Sequence, residues 1–133
     1  MKLLLDTNIL VAAVTRDTQR SEAAVHLLNE ADDAYVSVLS LMELRTVLSK
    51  KKQFEQDRVS QIENRITSRA TVTFPDASDI MAANQYQSEA LLYPMDALIL
   101  TAADAIDATL VSFDSELLDH GAEHLDDVLQ ELE

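Results

Sequence analysis

Three consecutive leucines, Leu3–Leu5, are followed directly by Asp6 and then by apolar residues at helical spacing. A short apolar run that ends at a carboxylate and turns into a helix is typical of a buried strand in a parallel sheet. In open α/β sheets, ligands bind beyond the carboxyl ends of the strands. Asp6 is therefore predicted to lie where such a protein carries out its chemistry.

Short runs of β-favouring residues alternate with helical patterns along the rest of the chain. This alternation predicts a mostly parallel sheet with helices on both faces. Because 133 residues suit one domain and no linker or repeat interrupts the pattern, residues 1–133 are predicted to form a single domain. The predicted strands are Leu3–Leu5, Ala34–Val38, Thr71–Thr73, Thr109–Ser112 and a short edge strand, Ala122–Leu125. The predicted helices are Asn8–Val14, Ser21–Glu30, Ser40–Lys50, Gln56–Ser68, Ala77–Ala90, Met95–Ile106, Asp114–Leu118 and Asp126–Leu132.

The composition limits the kinds of site that the chain can build. It contains no cysteine, which excludes disulfides, zinc–thiolate sites and cysteine nucleophiles. A metal must then bind oxygen or imidazole, and oxygen ligands favour Mg²⁺ or Mn²⁺. The apolar runs are far shorter than the roughly 18–20 residues of a membrane span, and the N-terminal run is too short for a signal peptide. We therefore expect a cytoplasmic protein that does not enter the membrane.

Three further acids lie in settings comparable to that of Asp6, and each has an ordinary structural explanation. Asp6 and Asp114 can cap the helices that follow them. Ser40 and Glu43 match the capping-box pattern. Asp96 lies in the first turn of a helix, where a negative charge suits the helix dipole. Taken one at a time, these structural roles are the commoner explanation.

Taken together, the four acids indicate a metal site. In a parallel sheet their positions all lie near the same edge. Crowded carboxylates raise one another's pKa, which makes the cluster unfavourable without a cation. A divalent metal removes that penalty and can activate water for attack on a phosphodiester. The sequence therefore predicts a metal-dependent nuclease.

The motifs around these acids resemble, in order and spacing, those of PIN-domain ribonucleases. The resemblance is strongest to the single-domain toxins called VapC and covers nearly the whole chain. It implies a three-layer α/β/α sandwich with a central, mostly parallel sheet, and endonucleolytic cleavage of RNA that depends on Mg²⁺ or Mn²⁺. The matching segments are Leu5-Asp6-Thr7-Asn8, Ser40-Leu41-Met42-Glu43, Asp96-Ala97-Leu98-Ile99 and Ser112-Phe113-Asp114.

The resemblance also implies roles for individual residues and for partners. Asn8 and Ser112 match the polar residues that support the metal site in this family. In the VapC branch an antitoxin protein usually occludes the site, often with a basic side chain among the acids, and homodimers are usual. The positions that the resemblance implies as catalytic and metal-binding are Asp6, Glu43, Asp96 and Asp114.

Positive charge that could contact RNA is scarce. Arg45 lies two positions after a site acid, and Lys50 begins the run of three lysines Lys50–Lys52. Either could contact RNA phosphate, although solvated charges at a helix end are the commoner case. Tyr93 and Phe113 flank site acids and could stack on bases, with core packing the commoner alternative. The three histidines lack the spacing of a metal motif, and solvent or packing roles are predicted for them.

Other functions compete with the toxin nuclease. Phosphatases of the haloacid-dehalogenase type and response-regulator receivers also use an aspartate at a strand end. Both need a lysine late in the chain, and this sequence has none after Lys52. A PIN nuclease with a housekeeping role in RNA processing stays open. So does a non-catalytic PIN-like binding module, although a degenerate module is expected to lose acids and this chain keeps all four.

The net charge of −14 is large for 133 residues, and the acids are spread along the whole chain. Charge of one sign destabilises the compact state through self-repulsion. Salt screens that repulsion, since the Debye length at ~1 M salt is only ~3 Å. We therefore favour a halophilic protein over an ordinary acidic protein that meets a basic partner.

We expect the melting temperature to rise as KCl increases from about 0.1 M to about 1 M and beyond, because screening relieves the repulsion between the acids. Thermal unfolding followed by circular dichroism across a KCl series measures this. A melting temperature that stays level or falls across the series would contradict adaptation to high salt.

Overall fold

The computed structural model describes residues 1–16 and 19–133 and has a four-stranded sheet at its centre. The strands are β1 (Leu3–Leu5), β2 (Ala34–Ser37), β3 (Thr71–Thr73) and β4 (Thr109–Val111). The helices are α1 (Thr7–Thr15), α2 (Ser21–Glu30), α3 (Val38–Thr46), α4 (Gln56–Arg69), α5 (Ala77–Ala90), α6 (Pro94–Ala105), α7 (Ser115–Leu118) and α8 (Leu125–Leu132). A π-helical segment, Val47–Lys51, continues α3.

All strand pairs are parallel, and the strand order is β3-β2-β1-β4. In the middle of β1, Leu4 pairs with Tyr35 of β2 and with Leu110 of β4. The chain moves outward from β1 to β3 and then returns to the other side of β1 with β4. The strand order therefore reverses between β1 and β4, and ligands bind at such a switch point, outside the carboxyl ends of the strands.

The two faces of the sheet bury separate apolar clusters. Leu3 and Leu5 are fully buried on one face, with residues of α1, α2, α3, α4 and α8. Leu4 is fully buried on the other face, with residues of α5, α6 and α7. Successive side chains of a strand point to opposite faces, so three leucines in a row reach both clusters. Helices cover both faces, and the predicted three-layer α/β/α sandwich is confirmed.

Most predicted elements are present, and several boundaries match the prediction: β1, α2, β3 and α5 begin and end where the pattern placed them. Asp76 caps α5 and forms a capping box with Asp79. The second strand is shorter than predicted. It ends at Ser37, whose hydroxyl accepts a hydrogen bond from the amide of Leu39 at 3.2 Å and so caps α3. The predicted capping box of Ser40 and Glu43 is therefore wrong, since both residues lie inside α3.

The predicted edge strand Ala122–Leu125 is also wrong. This segment makes one isolated parallel bridge, between Val111 and Glu123, and α8 already begins at Leu125. His124 caps α8 by accepting a hydrogen bond from the amide of Asp126 at 3.2 Å. Within residues 1–16 and 19–133, no helix has the length and apolar character that crossing a membrane requires.

Candidate active site

The carboxyl ends of β1 and β2 and the N-terminal ends of α6 and α7 border a pocket of about 320 Å³. All four acids singled out from the sequence line it, although they come from separate segments of the chain. Asn8 lines the pocket too, and Ser112 lies directly beneath it through its hydrogen bond to a lining acid. The four acids are Asp6, Glu43, Asp96 and Asp114.

Asp6 is held by two hydrogen bonds at the end of β1. Its Oδ1 accepts from the amide of Thr7 at 2.8 Å, and its Oδ2 accepts from the hydroxyl of Ser112 at 2.7 Å. The first bond caps α1, so the structural role predicted for Asp6 is real. The second bond joins Asp6 to a residue 106 positions away. Asp6 therefore caps a helix and also takes part in the pocket.

The hydroxyl of Ser112 is the hub of the site. Ser112 is fully buried and donates to Asp6. The same oxygen accepts from the side-chain amide of Asn8 at 3.2 Å and from the backbone amide of Asp114 at 3.0 Å. Asn8 in turn accepts from the amide of Phe113 at 3.3 Å through its Oδ1. Asn8 and Ser112 thus fix the segment that carries Asp114 against the segment that carries Asp6.

Hydrogen bonds also orient two of the other acids, Asp114 and Glu43. Asp114 caps α7, because its Oδ1 accepts from the amide of Glu116 at 2.9 Å. Glu43 accepts from the hydroxyl of Thr7 at 3.1 Å through its Oε1. Sequence reasoning missed Thr7, although it stands between Asp6 and Asn8 in the motif. A hydroxyl next to two polar site residues was the available signal.

The pocket is electrostatically unfavourable to its own acids. Burial is the largest cause of a rise in the pKa of Asp96 to about 6, and the nearby carboxylates of Asp114, Asp6, Glu116 and Glu43 contribute to the same rise. Burial also raises the pKa of Asp6, with a contribution from Asp114, while the hydrogen bonds from Ser112 and Thr7 act in the opposite direction. Glu116 is a second residue that the sequence analysis missed. It lies two positions after Asp114 on α7.

The donor atoms of the pocket suit a hard divalent cation, since carboxylate oxygens dominate. Among the described residues that line it, none is Lys or Arg. Across residues 1–16 and 19–133, however, no three acidic or histidine side chains already stand in an arrangement that would hold a metal ion. The residues therefore fit Mg²⁺ or Mn²⁺ in their chemistry, and binding requires some of the carboxylates to turn toward a common point.

The two basic residues predicted to contact RNA lie outside the lining of the pocket. Arg45 faces α4: it donates to Gln56 at 2.7 Å and to Ser60 at 3.1 Å, and its Nε forms an ion pair with Glu63 at 2.8 Å. Lys50 is exposed on the π-helical segment. Contact between RNA and either residue stays a prediction.

Comparison with known proteins shows the family. A model of the PIN domain family matches residues 3–123. The chain belongs to the PIN domain family. The expectation drawn from the four motifs is thereby confirmed at the level of the family. No curated protein matches the chain.

Several solved structures share this PIN fold. VapC20 of Mycobacterium tuberculosis, a toxin that cleaves the sarcin–ricin loop, superposes with a TM-score of 0.79 at 16% identity, over 92% of this chain and 97% of that one. A DNA-bound VapBC complex of Salmonella typhimurium has a TM-score of 0.75 at 19% identity, over 94% and 98% of the two chains. VapBC2 of Rickettsia felis, bound to promoter DNA, has a TM-score of 0.73 at 22% identity, over 93% and 98%. At these identities the likeness shows the fold.

We expect Asp96→Asn to raise the melting temperature of the metal-free protein at pH 7.5. The pKa of Asp96 rises from 3.8 to about 6 on folding, so folding disfavours the ionised carboxylate. The stabilisation by the substitution is expected to shrink as the pH falls from about 6 to about 4, because the folded wild type then takes up a proton at Asp96 and loses the charge that the pocket disfavours, while the unfolded chain protonates only near pH 4. Thermal unfolding of both proteins in EDTA, from pH 3.5 to pH 8, measures this difference.

Asp119→Asn is the matched control, because Asp119 is exposed and its substitution removes the same charge from the acidic chain. The effect of Asp96→Asn should exceed that of the control at pH 7.5 and converge with it at low pH. Equal effects of the two substitutions at every pH would show that the pocket does not perturb Asp96.

Proposed function

We propose that this PIN domain is a metal-dependent endoribonuclease that hydrolyses RNA phosphodiester bonds. The observation that carries the proposal is the meeting of four carboxylates in one pocket at the switch point of the sheet. Caps and dipoles explain each acid alone, but they do not require the acids to share a pocket in which burial and mutual repulsion raise the pKa of Asp96 and Asp6. Such perturbation is typical of functional sites.

The proposed ligands of Mg²⁺ or Mn²⁺ are Asp6, Glu43, Asp96 and Asp114. The cation would supply positive charge that activates water and stabilises the negative charge developing on the phosphodiester. The chain's own contribution is positional. Ser112 and Asn8 fix the position of Asp6 relative to Asp114. Thr7, the first residue of α1, orients Glu43 through its hydroxyl. Supporting hydrogen bonds of this kind commonly tune metal affinity and activity by about 10–100-fold.

We expect the wild-type protein to cut structured RNA with Mg²⁺ or Mn²⁺, in KCl high enough to keep it folded. Asp6→Asn and Asp96→Asn should each lower the rate at least about 100-fold, because the bound metal is expected to lower the activation barrier by several kcal/mol. A change of about 1.36 kcal/mol in the barrier is a factor of ten in rate. Gel analysis of end-labelled RNA measures the rates and shows internal cleavage.

Asp104→Asn is the control for this experiment. Asp104 lies on the same helix as Asp96 but accepts a hydrogen bond from Tyr86, away from the pocket. Its substitution should leave the rate within about threefold. Activity that survives Asp6→Asn or Asp96→Asn contradicts the site assignment. A wild type that binds RNA without cutting it would favour the non-catalytic binding module.

We further propose that the nuclease is the toxin of a VapBC-type pair, bound by an antitoxin protein. Two supports come from different sources. The fold is shared with chains of VapBC complexes, and the chain has a groove suited to a partner segment. The expected homodimer stays a prediction. A housekeeping PIN nuclease would need neither the groove nor an antitoxin.

The groove lies between α1, α2 and α4 and has a volume of about 410 Å³. Apolar side chains such as Val14, Leu28 and Ile62 line it. Four of the chain's ten Lys and Arg residues also line it, although the net charge is −14. We call this feature the arginine groove. Its arginines are Arg16, Arg58, Arg65 and Arg69.

The partner chemistry follows from this lining. Apolar side chains flanked by guanidinium groups suit an amphipathic helix that carries acids beside its apolar face. Positive charge concentrated on an acidic protein gives such a segment a favoured place to dock. This differs from the basic side chain expected among the site acids. An antitoxin with an acidic segment for the groove and a basic residue for the pocket satisfies both features.

We expect Arg16→Glu combined with Arg65→Glu to weaken antitoxin binding at least about tenfold, which is about 1.4 kcal/mol. The partner to use is the protein encoded by a small reading frame directly upstream, which the toxin role requires to be present and to encode a DNA-binding protein. Calorimetric titration of the two purified proteins measures the affinity. Lys51→Glu is the control, since Lys51 is exposed outside the groove.

Two results would contradict this account at different points. If the double variant and the control bind the antitoxin with equal affinity, the arginine groove is not the docking site. The absence of an upstream antitoxin gene would contradict the toxin role while leaving the nuclease proposal intact.

A further inference from the structure

An exposed arginine is held against an aromatic ring beside the candidate active site. The guanidinium carbon of Arg20, the residue that precedes α2, lies 4.2 Å from the centre of the Phe113 ring. Phe113 stands between Ser112 and Asp114 in the chain. Its ring also meets the imidazole of His124 edge-on, with ring centres 5.4 Å apart. The three side chains together form a small platform, Arg20–Phe113–His124, next to a site acid.

The same contacts that hold the site also hold this platform. The amide of Phe113 donates to Asn8, and the Phe113 ring packs against the apolar cluster beneath α1, α2 and α8. The backbone of Phe113 is therefore tied to the hub at Ser112, while its ring is packed against the core. Because Arg20 rests on this ring, its guanidinium has a defined place relative to Asp114.

Contact with a ring face leaves the guanidinium able to bind an anion. A guanidinium that stacks flat on a ring keeps its N–H donors free for other partners. The N–H groups of a guanidinium match the geometry of two phosphate oxygens. Arg20 itself is exposed. Because Arg20 contacts the ring of the residue that precedes Asp114, we take its guanidinium to be available to a phosphate on that side of the pocket.

We propose that Arg20, seated on Phe113, binds a phosphate of the RNA backbone next to the scissile bond. This inference rests on the proposed ribonuclease function and adds a substrate-binding residue to it. The pocket needs such a cation outside its metal ligands, because its described lining carries acids and no Lys or Arg. Arg45 comes from the same part of the chain as Glu43, but Gln56, Ser60 and Glu63 hold its guanidinium against α4.

A purely structural role makes a different prediction. If Arg20 only fastens the start of α2 to the segment after β4, its removal lowers stability and leaves RNA affinity alone. If Arg20 binds phosphate, its removal raises KM and weakens the salt dependence of binding. On a single strand, the slope of log K against log salt becomes shallower by about 0.7 for each phosphate that the protein no longer neutralises.

The test compares Arg20→Ala with Lys2→Ala. Lys2 also lies over an aromatic ring, with its Nζ 5.6 Å from the centre of the Tyr35 ring. It directly precedes β1, however, and so lies at the amino ends of the strands, whereas the pocket lies at their carboxyl ends. Both substitutions remove one positive charge and one cation–π contact. Kinetics on a short RNA with Mg²⁺ gives KM and kcat. Fluorescence anisotropy in the Asp96→Asn background gives affinity across the KCl range in which the protein is folded.

We expect Arg20→Ala to raise KM about tenfold or more, to change kcat less than about threefold, and to reduce the salt slope by about 0.7, the value for one phosphate on a single strand. Arg20→Lys should recover part of the affinity, since it keeps the charge without the planar fork. Lys2→Ala should match the wild type. Arg20→Met keeps the alkyl packing on Phe113 but removes the charge. It replaces Arg20→Ala in the same measurements if Arg20→Ala does not fold.

Each result decides the inference. If Arg20→Ala or Arg20→Met matches Lys2→Ala in KM and salt slope, Arg20 does not bind RNA, and a lower melting temperature in that case assigns it a structural role. If the wild type cuts RNA while the Arg20 variants are unaffected, this inference alone falls. If the wild type neither binds nor cuts RNA, the proposed nuclease function falls with it.

Discussion

One buried hydroxyl holds the candidate site together. Ser112 donates to Asp6, accepts from Asn8 and accepts from the backbone amide of Asp114, so the segment that follows β1 and the segment that follows β4 meet at a single oxygen. The hydroxyl can do this because Ser112 directly follows β4, which pairs with β1 at the switch point of the sheet. Removing it would leave the side-chain amide of Asn8, the backbone amide of Asp114 and the carboxylate of Asp6 without this partner, at a cost of up to about 1–3 kcal/mol for each group left unsatisfied.

The site brings carboxylates close together, and a bound cation would relieve the repulsion between them. The fold places Asp6, Asp96 and Asp114 near one another with little compensating positive charge, and the pKa of Asp96 rises to about 6 as burial and this repulsion combine. An acidic chain cannot draw RNA to such a pocket by a broad basic surface. In the proposed ribonuclease, the positive charge would come from bound metal and from an arginine placed beside the pocket. The platform at Phe113 is where the fold presents such an arginine next to the segment that carries Asp114.

Local pattern was enough to predict helices on both faces of a parallel sheet and to group the acids, because Asp6, Asp96 and Asp114 each lie at a strand end or a helix start. The details that depend on distant contacts were not predictable. Ser37, rather than Ser40, caps α3, since the strand stops one residue earlier than its β-branched pattern indicates. The turn of Arg45 toward Glu63 and the bond between Thr7 and Glu43 join separate helices, so no local pattern encodes them. The predicted edge strand, Ala122–Leu125, does not form, because this segment makes only one isolated bridge to the sheet, between Glu123 and Val111.

We propose that the carboxylates of Asp6, Glu43, Asp96 and Asp114 form one divalent-metal site. Anomalous diffraction from a crystal grown with Mn²⁺ tests this proposal most directly. The account predicts an anomalous peak in the pocket, about 2–2.5 Å from oxygens of at least two of the four acids, that disappears in Asp96→Asn. A peak elsewhere on the chain, or no peak in the pocket at millimolar Mn²⁺, would contradict the metal site and the nuclease mechanism built on it.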